Sequence, residues 1–175
     1  MTSFRSTAIC VTVLVWGLAT WPHLLAAHEI VAGVLRIQHP WIRAVPRDVV
    51  WTTGYIIGVA NDGPESDQLL GATLDAGGTA VVRASQNVNG VKTLKVLPQG
   101  IEIPPKSEVG VRPGEMHLYF EGLKRSLRAG EVVAGSLLFR RAGKLAIEFV
   151  VEPEEFTTED PIFSNGTATS KTAPR

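Results

Sequence analysis

Cysteine occurs once in this 175-residue chain, at Cys10, so neither a disulfide framework nor a cysteine-based zinc site can be built from it. An excess of charge of either sign is also missing, because 17 Lys and Arg balance 17 Asp and Glu. That excludes a nucleic-acid binder driven by bulk charge. Aromatic residues make up only 7%, and the longest apolar run falls short of the ~20 residues a spanning helix needs. Signatures of catalysis are absent as well: the chain has no G-x-S-x-G elbow, no H-E-x-x-H pair and no phosphate-binding loop. The sequence therefore reads as a protein that is not an enzyme.

What is present begins with an address. Residues 1–27 hold one Arg, no acid, an apolar run from Ala8 to Trp21, then Pro22 and a small-residue ending at Ala26-Ala27. This is the pattern of a cleaved secretory signal, which predicts an exported, periplasmic protein with no stable membrane span after cleavage. Removing the segment leaves no cysteine, one methionine (Met116) and three histidines (His28, His39, His117). So few soft or imidazole groups limit any metal site severely.

From residue 28 to 156 the chain alternates β-rich runs, such as VLRIQ, GYIIGVA, TAVVRA, VKTLKVL, MHLYFE and KLAIEFVV, with turn clusters rich in Gly, Pro, Asn and Asp. Spacing of this kind predicts one all-β domain of about seven to nine antiparallel strands. Asn89-Gly90 is the strongest single hairpin signal, since both residues tolerate the positive φ of a type I′ turn. Gly122 to Leu127 is the one stretch with room for a helical turn. Residues 157–175 turn small and polar and are expected to form a mobile tail.

Five islands in order resemble the periplasmic copper-chaperone family PCu(A)C: HPWIRAVP (39–46), GYIIGVANDG (54–63), DQLLGATL (67–74), VRPGEMHLYFEGLKRSLRAGE (111–131) and LLFRRAGKLAIEFVV (137–151). The resemblance covers essentially residues 30–151. It implies a cupredoxin-like Greek-key β-sandwich and an exported carrier that moves copper toward a copper centre such as that of a respiratory oxidase. Its partner would be a copper-donating or copper-accepting periplasmic protein. Family members hold Cu(I) with two His and two Met, polarizable donors that suit a soft cation. The resemblance places those four positions at Arg83, Leu94, His117 and Tyr119, so only His117 is kept.

Arg83 opposes such a site, because a guanidinium stays protonated and has no lone pair to donate. Leu94 has no donor at all, and Tyr119 offers a hard phenol or, through its ring face, a cation–π seat for Arg83. Strand alternation puts Met116 on the face opposite His117, as core packing. His39 precedes Pro40 and is expected to be extended and structural. Trp41 and Arg43 read as packing and strand-edge residues. If cleavage follows Ala27, His28 becomes the first residue, and its amine and imidazole form a weak Cu(II)-chelating pair. The alternative function is a β-sandwich that binds no metal and serves as a protein-interaction or assembly module.

Overall fold

The computed structural model describes residues 29–153, so the expected signal segment, His28 and the expected tail lie outside the described residues. Its strands are β1 (Glu29–Ala32), β2 (Leu35–Arg43), β3 (Trp51–Asn61), β4 (Asp67–Leu74), β5 (Gly77–Val88), β6 (Val91–Val96), β7 (Ile101–Ile103), β8 (Ser107–Val111), β9 (Met116–Leu123), β10 (Val132–Phe139) and β11 (Lys144–Glu152). The all-β expectation holds, with more strands than the spacing predicts. β1 and β7 were not separable in the sequence, because four residues and three residues carry too little alternation to mark a strand.

The strands form a single sheet that closes on itself in a barrel-like ring. Going round it, β2 pairs with β11, then β10, β4, β5, β9 and β3, and β3 returns to β2. All of these pairs are antiparallel except β11 with β2. β1, β6, β7 and β8 extend β2, β5, β4 and β3 beyond the ring. Closure removes most of the exposed edges that would otherwise invite pairing with another chain.

The interior is apolar and continuous. Leu35, Ile37, Ile56, Leu69, Val82, Leu118, Phe120, Phe139 and Phe149 are all essentially inaccessible to solvent. Phe120 meets Phe149 edge-to-face with centroids 5.8 Å apart, the geometry that ring quadrupoles favour. Gly54 makes room for that ring, since a Cβ there would stand 2.7 Å from Phe120 Cε2.

Two local expectations need correction. Gly122 to Leu127 form no helical turn, because their backbone groups are already engaged elsewhere. Gly122 and Leu123 N–H donate to Val50 O, Lys124 N–H to Ala76 O, and Leu127 bridges Val45. His39 is not extended but has φ of +44°. In β2 the core-facing side chains change phase between Ile37 and Ile42, and the kink at His39 makes that change. Trp41 thereby turns to the outer side of the ring beside its cross-strand partner Tyr55. The Asn89-Gly90 turn is as expected, with φ of +52° and +83° closing β5 onto β6.

Candidate functional site

Three adjacent strands bring the resemblance-derived positions together. In the β5–β9 ladder Arg83 stands opposite His117 and Val81 opposite Tyr119, without a register shift. On the other side of β5, Arg83 faces Val96 and Ser85 faces Leu94. Residues directly opposite in a ladder share a face, so Arg83, His117, Tyr119 and Leu94 all lie on the outer side of the sheet. Met116 pairs with Ala84 on the opposite face and packs against the core, as alternation predicts.

Arg83 stands on β5, between the β6 and β9 members of this patch. Its guanidinium carbon lies 3.5 Å from the centroid of the Tyr119 ring, a close cation–π stack. Its nearest carboxylate oxygen, Glu121 Oε1, is 4.0 Å from Nη2, and its Nε is buried without a hydrogen bond. Trp51 stacks on Tyr119 at 5.8 Å, so the phenol ring is flanked by a cation and an indole. His117 lies 6.4 Å from the rings of both Tyr119 and Tyr55. Further along, Trp41 packs on Tyr55 at 4.4 Å, and Arg43 sits over both rings at 5.9 and 5.6 Å. The result is a continuous aromatic strip with a guanidinium at each end.

Burial, and secondarily the charge of Arg83, lower the pKa of His117. At neutral pH its imidazole is therefore uncharged and keeps a lone pair on one ring nitrogen.

The donor set does not fit a four-ligand Cu(I) site. Arg83 and Leu94 contribute no lone pair, and Leu94 is more than half exposed. Tyr119 has its ring face taken by Arg83. No group of three or more His, Cys, Asp or Glu is placed to hold a metal among the described residues. His39 is not part of the patch; its Nε2 stands 3.6 Å from Glu152 Oε1. His28, the other candidate ligand, lies outside the described residues.

The sequence reading missed Trp51 and Tyr55 and took Trp41 and Arg43 for packing and strand-edge residues. A signal was available in β3, where Trp51, Thr53 and Tyr55 alternate onto the face that carries Tyr119. Its meaning depends on the β3–β9 pairing, which one strand cannot reveal.

A family model described as "Putative lipoprotein LpqE-like" matches residues 35–151, and the chain belongs to that family. A relative from Leifsonia xyli subsp. xyli, named "Putative lipoprotein Lxx21020", is 27% identical over 108 residues. That match covers 62% of this chain and 63% of the relative, so the chain spans less than two thirds of the relative's length. Among solved structures, the copper-bound PCuAC domain from PmoF2 matches with 25% identity and a TM-score of 0.58, over 72% of this chain and 98% of that one. The solution structure of CuI-DR1885 from Deinococcus radiodurans matches with 22% identity and a TM-score of 0.53, over 73% and 83%. The fold is thus that of PCuAC copper-chaperone domains, as the sequence motifs imply.

Proposed function

We propose that this is an exported, periplasmic copper-chaperone-like protein that works beside a copper-donating or copper-accepting partner and itself holds copper loosely. In this reading the barrel-like sheet is the cupredoxin-like Greek-key sandwich of the PCu(A)C family. Residues 1–27 are its cleaved signal, residues 28–156 its domain and residues 157–175 a mobile tail. The destination is a copper centre such as that of a respiratory oxidase. The observation that carries the reading is His117, an uncharged imidazole kept at a family ligand position on a fold shared with copper-bound PCuAC domains. One imidazole beside a fixed cation gives weak Cu(I) binding, and firmer Cu(II) binding is assigned to His28 as the new N-terminus.

A competition titration of the processed protein against a Cu(I) chelator tests this. Weak Cu(I) binding that disappears in His117→Ala, together with Cu(II) binding that disappears in His28→Ala, is expected. Tight Cu(I) binding by the unmodified protein would overturn it.

The Arg83–Tyr119 stack favours a second reading, a module that binds no metal and keeps only the protein contact. Absence of any His117-dependent Cu(I) binding in the same titration selects it.

A further inference from the structure

We propose that the face occupied in the chaperone fold by copper is here a recognition site for a carboxylate, supplied by an acidic segment of a partner protein flanked by apolar side chains. The inference rests on the reading that Arg83 closes the Cu(I) site, and it names what the same face binds instead.

Arg83 carries the argument. Its guanidinium is held over the Tyr119 ring, its Nε is buried, and its nearest carboxylate is a 4.0 Å contact from Nη2 to Glu121, whose side chain is 69% exposed. The terminal Nη1 and Nη2 of a planar guanidinium present a fork of paired N–H donors that matches a carboxylate in bidentate geometry, and the Arg83 side chain is 25% exposed. Arg43, at the far end of the strip, has no carboxylate oxygen within 4.0 Å among the described residues. Glu152, its cross-strand neighbour, is turned to His39. Two guanidiniums on aromatic rings therefore share one face with Glu121 as the local counter-charge.

The surroundings say that the carboxylate arrives on a protein. Trp51, Val81, Leu94 and Val96 stand on this same face, and each is between 42% and 55% exposed. A small anion has no use for such a border, whereas Arg and aromatic anchors ringed by apolar contacts are the composition of an interface hot spot. Charge complementarity selects an acidic partner, and the border selects apolar residues beside the acid.

The test measures fluorescence polarization of a labelled synthetic peptide, Gly-Asp-Phe-Asp-Leu-Gly, with the processed full-length chain. Its Asn-for-Asp counterpart and sodium acetate serve as the other arms. The Asp peptide is expected to bind and the Asn peptide to bind about tenfold or more weakly, the scale of one charge-assisted hydrogen bond. Arg83→Met and Leu94→Asp should each weaken the Asp peptide by about tenfold, with Arg83→Lys recovering only part, because an ammonium lacks the fork. Lys144→Ala, on another strand, should change nothing, and thermal melts establish that each variant is folded.

Equal binding of the two peptides, or an unchanged Arg83→Met, would overturn the proposal. Displacement of the peptide by an equimolar amount of acetate would overturn it in favour of a small-anion site. Binding that shows only in a chain cut after Pro153 would give the face to this chain's own acidic segment, which contains Glu154, Glu155, Glu159 and Asp160. Tight Cu(I) binding would remove the reading beneath the proposal, whereas failure of the peptide alone leaves that reading standing.

Discussion

On the proposed reading, in which Arg83, Leu94, His117 and Tyr119 stand at the family ligand positions, supplying the family donor set should give tight Cu(I) binding, because all four residues lie on one face of β5, β6 and β9. The first step is Arg83→His. A guanidinium and a copper ion about 5 Å apart repel by about 3 kcal/mol at an effective dielectric near 20. Removing that repulsion is worth about two decades in affinity before the new imidazole adds a bond. Leu94→Met and Tyr119→Met then supply the two thioethers that a soft cation prefers. The structural cost is the Arg83–Tyr119 stack, about 1 kcal/mol, offset in part because the buried Nε without a hydrogen bond goes with it. Competition with a Cu(I) chelator should show affinity rising from the unmodified protein to Arg83→His to the triple variant, with the first step at least about fiftyfold. If the folded triple variant gains nothing, the four positions do not converge and the assignment of this face is wrong.

Other consequences can be checked separately. Replacing Arg83 by Met should raise the pKa of His117 in an NMR titration while burial keeps it below the ordinary 6.5, since burial is the larger cause. For His117 the folded pKa lies below the unfolded one, so its contribution to stability is complete above about pH 6.5 and is lost as pH falls through the folded value. His117→Gln should flatten that part of the stability profile in chemical denaturation. Asp67, buried, accepts hydrogen bonds from the backbone N–H of Gln68, Arg141 and Ala142, so Asp67→Ala should cost about 3 kcal/mol in urea unfolding without altering peptide or copper binding. Met116→Ala should likewise lower stability, by about 1–3 kcal/mol, and leave Cu(I) affinity unchanged, because Met116 packs against the core.

The parts of the fold that were legible in the sequence are those decided by local chemistry. Alternation in MHLYFE put His117 and Tyr119 on one face and Met116 on the other, and the ladder repeats that division. Asn89-Gly90 announced its hairpin because positive φ at two successive residues is a local demand. The misses needed information from elsewhere in the chain. The kink at His39 goes with the change of inward-facing residues along β2, from Leu35 and Ile37 to Ile42, and overrides the extended preference of a residue before proline. Gly122 to Leu127 fail to coil because loops around Val45, Val50 and Ala76 take their backbone groups. The cation–π stack was open to anticipation from Arg83 and Tyr119, but Trp51 completing it required knowing that β3 lies beside β9.

The same division of labour accounts for a PCuAC-type fold whose outer face carries Arg83 and Tyr119. The residues that hold the ring closed point inward: Val82, Leu118 and Phe120 alternate with Arg83, His117 and Tyr119 on the same two strands, and are fully buried. Substitution on the outer face therefore leaves the core packing untouched, and the fold places little constraint on which chemistry that face carries. It does constrain which exchanges are cheap. A guanidinium beside a half-buried imidazole needs a counter-charge or an aromatic surface to rest on, and the Tyr119 ring, two residues from His117 along β9, supplies that surface. Arg83 and Tyr119 are therefore coupled. Losing Tyr119 alone, as in Tyr119→Met, should release Arg83 toward Glu121 and solvent, whereas losing Arg83 alone should leave Tyr119 stacked on Trp51. A double-mutant cycle should accordingly return a coupling of about 1 kcal/mol between positions 83 and 119. Strict additivity would mean that the stack is a bystander, and that positions 83 and 119 are set independently of each other.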